Sequence, residues 1–255
     1  RNIPLNHHAI LYRTNAQSRA LQLALAKNGI KAILATPSGA RPAWMAQKYP
    51  EVLRVNEQYQ RYHFGGRHNH CITSPVYRRK VREMDLRLAE RYANHPGVIL
   101  WHLSNEMSGH CYCDLCQEAF RTWLKERYGT LDKLNDAWWT SFWAHRYTDW
   151  SQVEAPGPMA ETSTNGMFID WRRFATHQAK TFMIAEKEAV QSVNPELKVT
   201  ANLMERFWDY DYFDLAEGMD VVSWDSYPMW HSGDDVARAA EFAMNHDIMR
   251  SLKDQ

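Results

Sequence analysis

The sequence predicts an α/β fold, a parallel sheet covered by helices, with the (β/α) barrel as its architecture. Three observations carry this expectation. Short apolar runs alternate along the chain with amphipathic stretches of helical period, the pattern of strand–helix–strand crossovers. Each apolar run ends in polar or aromatic residues, at Thr36, Asn105-Glu106, Asn202 and Asp225-Ser226-Tyr227. A barrel gathers its chemistry at the carboxyl ends of its strands in just this way. Finally, no glycine-rich phosphate loop follows any of the runs, which makes the doubly wound nucleotide-binding sheet the weaker choice.

The elements follow in order. Residues 31–36 read as a buried strand ended by Pro37-Ser38-Gly39. Residues 77–93 read as a helix with Val81, Met84, Leu86 and Leu88 among its apolar positions, broken at Pro96-Gly97 before a strand over 98–103. Helices are expected over 114–128 and 131–139, parted at Gly129, and a long one over 171–192, stopped by Asn194-Pro195. A strand over 197–203, a helix-like stretch, a strand over 221–224 and a helix over 235–253 complete the chain. Residues 151–167 are rich in breakers and read as a long loop, of the kind that usually passes over a site.

Composition bounds the function. The 255 residues carry 30 basic and 30 acidic side chains, without the basic excess of a nucleic-acid or membrane-surface binder. No apolar run reaches the roughly 18 residues of a membrane span and no signal peptide opens the chain, so a cytoplasmic protein is expected. The 11 Trp and 12 Tyr suit either an aromatic core or flat faces that stack on sugars.

Cys111, Cys113 and Cys116 form a C-x-C-x-x-C cluster, and Cys71 is the remaining cysteine. One zinc ion with four thiolates would use every cysteine, and with no position open to water it would be structural. Such a site would pin the loop beyond Glu106 to the loop at 67–71. The competing readings are a redox Cys-x-x-Cys pair, unligated buried thiols, or replacement of one ligand by His68, His70 or His110.

Glu106 follows an apolar strand and is preceded by Asn105. A carboxyl held among aromatic residues suits a general acid, and Asn105 could bond a substrate hydroxyl beside it. The plainer alternative is a surface Glu that caps the next segment. A retaining glycosidase needs a second carboxylate about 5–5.5 Å away, and Glu205 and Asp225 are the strand-end candidates.

Several stretches, in order, carry a family resemblance. They are Gly29 to Ser38, Pro42 to Ala46 with Lys48-Tyr-Pro-Glu51, Phe64 to Cys71, Ser104 to Met107, Cys111 to Cys116, Phe120 to Leu124, Leu134 to Trp138 and Asp220 to Pro228. From about residue 29 onward the chain resembles the catalytic barrel of glycoside hydrolase family 42, the β-galactosidases. The resemblance implies Glu106 as acid/base, Asn105 as the adjoining galactose-binding residue, and Arg67 as a contact to the terminal sugar. It implies Trp143 as an aromatic wall and Tyr227 as a pocket residue. It also implies a four-cysteine zinc site at Cys71, Cys111, Cys113 and Cys116, a β-galactoside substrate, no nucleic-acid partner and a homotrimer for the complete enzyme.

Two departures qualify the resemblance. The family's nucleophile lies in a Leu-Met-Glu-like motif on the seventh strand, beyond the helix where this chain stops, so the nucleophile is expected to be absent. Leu203-Met204-Glu205 lies before Asp-Ser-Tyr-Pro instead, and Glu205 reads as a decoy. At the other end, Ala9 to Leu21 resembles a motif of UvrD-like DNA helicases, in which the arginine serves an ATP-coupled motor. No phosphate loop accompanies it, so a complete helicase is excluded. Residues 1–28 are therefore set apart as a segment whose origin, fusion or artefact, the sequence leaves open. Residues 29–255 are expected to form a partial (β/α)8 TIM barrel with strands missing at both ends. A non-catalytic carbohydrate- or zinc-binding module and a helicase-derived fragment are the rival functions.

Overall fold

The computed structural model describes residues 9–10, 29, 31–158, 164–228 and 233–253. The helicase-like stretch lies outside the described residues, apart from the backbone of Ala9 and Ile10. These two form β1 (Ala9–Ile10), which pairs in parallel with β2 (Lys31–Ala35). The segment set apart by sequence thus adds a strand to the sheet.

Every pairing between named strands is parallel. β2 pairs with β3 (Val98–His102), and β3 with β4 (Val199–Thr200). The chain then changes partner at Ala201, and β5 (Asn202–Met204) pairs with β6 (Ser223–Asp225). The expected single strand over 197–203 is therefore two short ones, because its two halves bond different neighbours. The turn between them is held from the side: Thr200 Oγ1 donates to Val221 O at 2.7 Å, and Ser223 Oγ donates to Ala201 O at 3.1 Å.

Short α1 (Ala43–Lys48) follows β2. Helix α2 (Pro75–Tyr92) begins two residues ahead of expectation, because Ser74 caps it, accepting from Tyr77 N–H at 3.3 Å, and Pro75 fits the first turn. Helix α3 (Asp114–Tyr128) stops at Gly129, whose φ of 75° is left-handed. Helix α4 (Leu131–Trp138) starts on the Thr130 cap. Helix α5 (Asn165–Gln191) opens inside the stretch read as loop. Gly166 permits this start: a Cβ there would lie 2.5 Å from Trp138 Cδ1, so only glycine lets the helix close on that ring. Short α6 (Tyr212–Ala216) and α7 (Asp235–Ser251) complete the order.

Two apolar cores position the strand ends. One packs α2 and α5 against the sheet through Trp101, Leu103, Ala179, Met183, Val190 and Val199, all fully buried. The other surrounds the cysteines with Phe120, Leu124, Leu134, Trp138, Trp171 and Phe174. Of the tryptophans, Trp101, Trp138 and Trp171 fill cores, while Trp44, Trp139, Trp143 and Trp208 stand exposed. Among the described residues no helix is long and apolar enough to cross a membrane.

Candidate active site

The turn after β3 carries the candidate acid/base. Its backbone is tied to the strands on both sides. Leu103 N–H donates to Thr200 O at 2.7 Å, Ser104 N–H to Thr36 Oγ1 at 2.7 Å, and Glu106 N–H to Asn202 Oδ1 at 2.9 Å. Ser104 and Glu106 both hold left-handed backbone, at φ 54° and 42°. For residues with side chains this costs on the order of 1–3 kcal/mol each, and the flanking hydrogen bonds offset it. Strain of this kind collects where a side chain must be aimed.

Around Glu106 the structure assembles residues from four segments. Arg67, on the loop before Cys71, forms an ion pair with the Glu106 carboxylate. That loop is folded back by antiparallel bridges Leu53↔His70 and Val55↔Arg61, and Arg41 bonds Asn69 beneath it. Asn202, at the start of β5, accepts from Glu106 and donates through Nδ2 to both oxygens of Asp225, at 3.1 and 3.0 Å. Burial raises the Asp225 carboxyl above the usual carboxylate range; the Asn202 amide draws it down and nearby Glu106 raises it further. Asn105 lies against Gly39, where a Cβ would come within 3.2 Å of the Asn105 Cβ. Its Nδ2 is buried with no partner among the described residues.

Arg67, Asn105 and Glu106 are therefore brought together as expected by position. Trp143 and Tyr227 are 73% and 71% exposed, and among the described residues no hydrogen bond or ring contact joins either to Glu106. Trp143 meets Phe142 edge-on at 5.6 Å, and Phe142 stacks on Trp139 at 5.4 Å. Glu205 is exposed, on strained backbone at φ 24°. The bridging role of Asn202 was missed in the sequence; its place at a strand end, one strand along from Glu106, was the available signal.

The four cysteines converge below this site. Their sulfurs all lie within 4.8 Å of one another and all four residues are buried. Cys71 Sγ is 3.6 Å from Cys113 Sγ and 3.5 Å from Cys116 Sγ. Sulfurs bound tetrahedrally to zinc at about 2.3 Å would sit roughly 3.8 Å apart, so the donor set fits that ion. Two of the histidines that could have replaced a cysteine are engaged elsewhere. His70 stacks on Tyr77 at 4.5 Å, and His110 accepts from Trp171 Nε1 at 2.8 Å.

The comparisons agree over most of the chain. Residues 18–255 match the family model for glycoside hydrolase family 42, described as β-galactosidase. The β-galactosidase BglY of Alicyclobacillus acidocaldarius is 56% identical over 225 residues, covering 88% of this chain and 33% of that protein. GanA of Bacillus subtilis, also a β-galactosidase, is 49% identical over 238 residues, covering 89% and 35%. The crystal structure of the β-galactosidase from Rahnella sp. R3 superposes with a TM-score of 0.90 at 55% identity, over 95% of this chain and 36% of that one. The catalytic domain of a Paenibacillus polymyxa β-amylase, at 17% identity and a TM-score of 0.64, shares the fold alone. The chain spans about a third of the length of the curated relatives it matches.

Proposed function

This chain belongs to glycoside hydrolase family 42, and from that premise we propose that it carries the acid/base half of a retaining β-galactosidase site. Its strands are read as part of a (β/α)8 barrel, and its substrate as a terminal, non-reducing β-D-galactosyl residue. The observation that carries the proposal is the convergence on Glu106 of Arg67, Asn202 and Asp225, with the Asn105 amide unpartnered beside it.

In the first half-reaction the Glu106 carboxyl gives its proton to the glycosidic oxygen. The anomeric C–O bond breaks, the aglycone leaves as an alcohol, and a second Glu bonds the anomeric carbon. In the second, the Glu106 carboxylate takes a proton from water as that water displaces the second Glu. Galactose then leaves with its configuration retained. Arg67 orients Glu106 and the sugar, and Asn105 Nδ2 donates to a sugar hydroxyl. Trp143 and Tyr227 supply apolar faces at the rim. Asp225 is engaged by Asn202 and Glu205 is exposed, which supports a nucleophile supplied by chain outside these residues. Activity of the 255 residues alone is then expected to be weak or nil.

Cys71, Cys111, Cys113 and Cys116 are proposed to hold a structural zinc ion. Bound there, zinc would cross-link the Arg67 loop to the loop that follows Glu106, and would take no part in the chemistry.

The test compares aryl β-galactoside hydrolysis by the 255-residue chain and by a form extended to the relatives' length, each with Glu106→Ala. The expected result is turnover by the extended form only, lowered by about 10²–10⁴-fold without Glu106. Activity of the 255 residues that depends on Glu106 would return Asp225 and Glu205 to consideration as nucleophile. Galactose binding without hydrolysis by either form would favour a carbohydrate-binding module.

A further inference from the structure

Behind the strand ends lies a pair of carboxyls that the reaction does not use. Asp85 on α2 and Glu186 on α5 are 0% and 1% exposed, and their side chains are within hydrogen-bonding reach of each other. Glu186 Oε1 accepts from Thr36 Oγ1 at 2.8 Å. Glu186 Oε2 and both Asp85 oxygens make no other hydrogen bond among the described residues, and the Ser38 hydroxyl, likewise unpartnered, lies within reach of Glu186.

The Thr36 hydroxyl links this pair to the turn after β3. The backbone N–H of Ser104 can only donate, and it donates to Thr36 Oγ1. Thr36 Oγ1 in turn donates to Glu186 Oε1, since a hydroxyl can accept and donate at once. Three buried oxygens remain, and two adjacent carboxylates cannot both be ionised in an apolar interior. One proton between Glu186 and Asp85 satisfies the arrangement. The charged and titratable groups that face the pair are Arg78 and Tyr77 on α2, with Arg41 and Arg54 acting on Tyr77 from beyond it. The Tyr77 hydroxyl is occupied by Ser38 O.

We propose that Glu186, paired with Asp85, is a positioning residue that holds the Glu106 turn through Thr36 and Ser104 by means of one shared proton. The inference rests on the role proposed above for Glu106. The chain of contact runs from α2 through α5 to the end of β2, and from there to the strained backbone at Ser104, two residues before the acid/base. Removing the Thr36 link frees a turn that is left-handed at both Ser104 and Glu106.

The pair also implies a pH dependence. Burial pushes Asp85 up to about 9, with Glu186 adding to the rise, and burial pushes Glu186 up to about 7. A carboxyl raised in the folded state contributes stability that is full below its unfolded value, near 4. That stability is lost as pH rises towards the folded value.

The experiment uses the chain extended to the relatives' length. It reads kcat and KM on an aryl β-galactoside near neutral pH, deuterium uptake by the peptide 103–107, and thermal midpoint between about pH 6 and pH 9. Thr36→Val and Glu186→Ala are expected to lower kcat by about tenfold or more with KM within about twofold, and to speed uptake at 103–107. Glu186→Gln should restore both, since its amide still accepts from Thr36 and donates to Asp85. Asp85→Asn, which replaces the shared proton by an amide donor, should flatten the fall of the midpoint with pH. If Glu186→Ala fails to fold, Thr36→Val decides. Unchanged kcat and uptake in Thr36→Val, Glu186→Gln no better than a folded Glu186→Ala, or an undiminished pH slope in Asp85→Asn would each overturn the proposal. If the unsubstituted enzyme does not hydrolyse galactosides, the β-galactosidase reading falls, and uptake at 103–107 still decides whether Glu186 holds the turn.

Discussion

Asn202 does two jobs with one amide. Its oxygen accepts the Glu106 N–H at 2.9 Å, and its nitrogen donates to both oxygens of Asp225. Truncation to alanine would leave a partly buried N–H and a partly buried carboxylate without partners, at about 1–3 kcal/mol for each lost partner. It would also release backbone that is strained at Glu106. In the extended enzyme, Asn202→Ala is therefore expected to lower kcat by about 10–100-fold and to reduce the urea midpoint. Steady-state kinetics and urea unfolding check the two effects separately. A variant that loses stability but keeps kcat would mean that Asn202 supports the sheet and not the aim of Glu106. Arg67 differs from Asn202 in its surroundings. Its side chain is 63% exposed, so its pair with Glu106 is screened by solvent and adds little to folding; the role proposed for it above lies with the substrate.

At the scale of elements, the cysteines decide how the Arg67 loop is held. Cys113 sits at the amino end of α3, Cys116 in its first turn, and Cys71 four residues past Arg67. A shared ion would therefore fix the loop to α3. Removing it by a strong chelator, or by Cys113→Ser, is expected to lower the thermal midpoint of the extended enzyme by at least about 5 °C. It should raise KM more than it lowers kcat, because Arg67 would lose its anchor while the Glu106 turn keeps its ties to Thr36, through Ser104, and to Asn202. Metal analysis of the purified protein, at one zinc per chain, gives the direct check. An unchanged midpoint in a metal-free sample would show that the buried thiols pack without an ion.

The same elements show what was legible beforehand. The spacing of the cysteines exposed the cluster because thiol chemistry leaves a strong local pattern. The place of Glu106 just past a strand was legible because an apolar run ended on an Asn-Glu pair. The start of α5 at Asn165 was hidden because Gly166 reads as a breaker, and only the approach of Trp138 explains it. The change of partner at Ala201 and the Asp85–Glu186 pair were hidden for a related reason. Both arise from contacts between segments distant in sequence, and a buried acid within a helical pattern looks like any solvated one.

Over the whole molecule, consecutive strands pair in parallel from β1 to β6, apart from the partner change between β4 and β5. Among the described residues the strands form a four-stranded sheet, β1 to β4, and a two-stranded one, β5 and β6, with β1 and β6 each left as an edge. Open parallel edges offer unpaired N–H and C=O groups to another chain. On the segments that follow β5 and β6 large apolar groups are exposed: Trp208 is 79% exposed, Phe213 61% and Val236 77%. With 30 basic against 30 acidic residues, no net charge keeps copies apart. The 255 residues alone are therefore expected to bind a hydrophobic dye and to scatter light as an association that grows with concentration. The chain extended to the relatives' length should show neither dye binding nor concentration-dependent growth, because the additional chain would cover the edges. Light scattering and dye fluorescence across a dilution series decide it. A monodisperse, dye-silent 255-residue chain with one sharp unfolding transition would mean that the arc of strands closes its own core, and the partial-barrel reading would have to be given up.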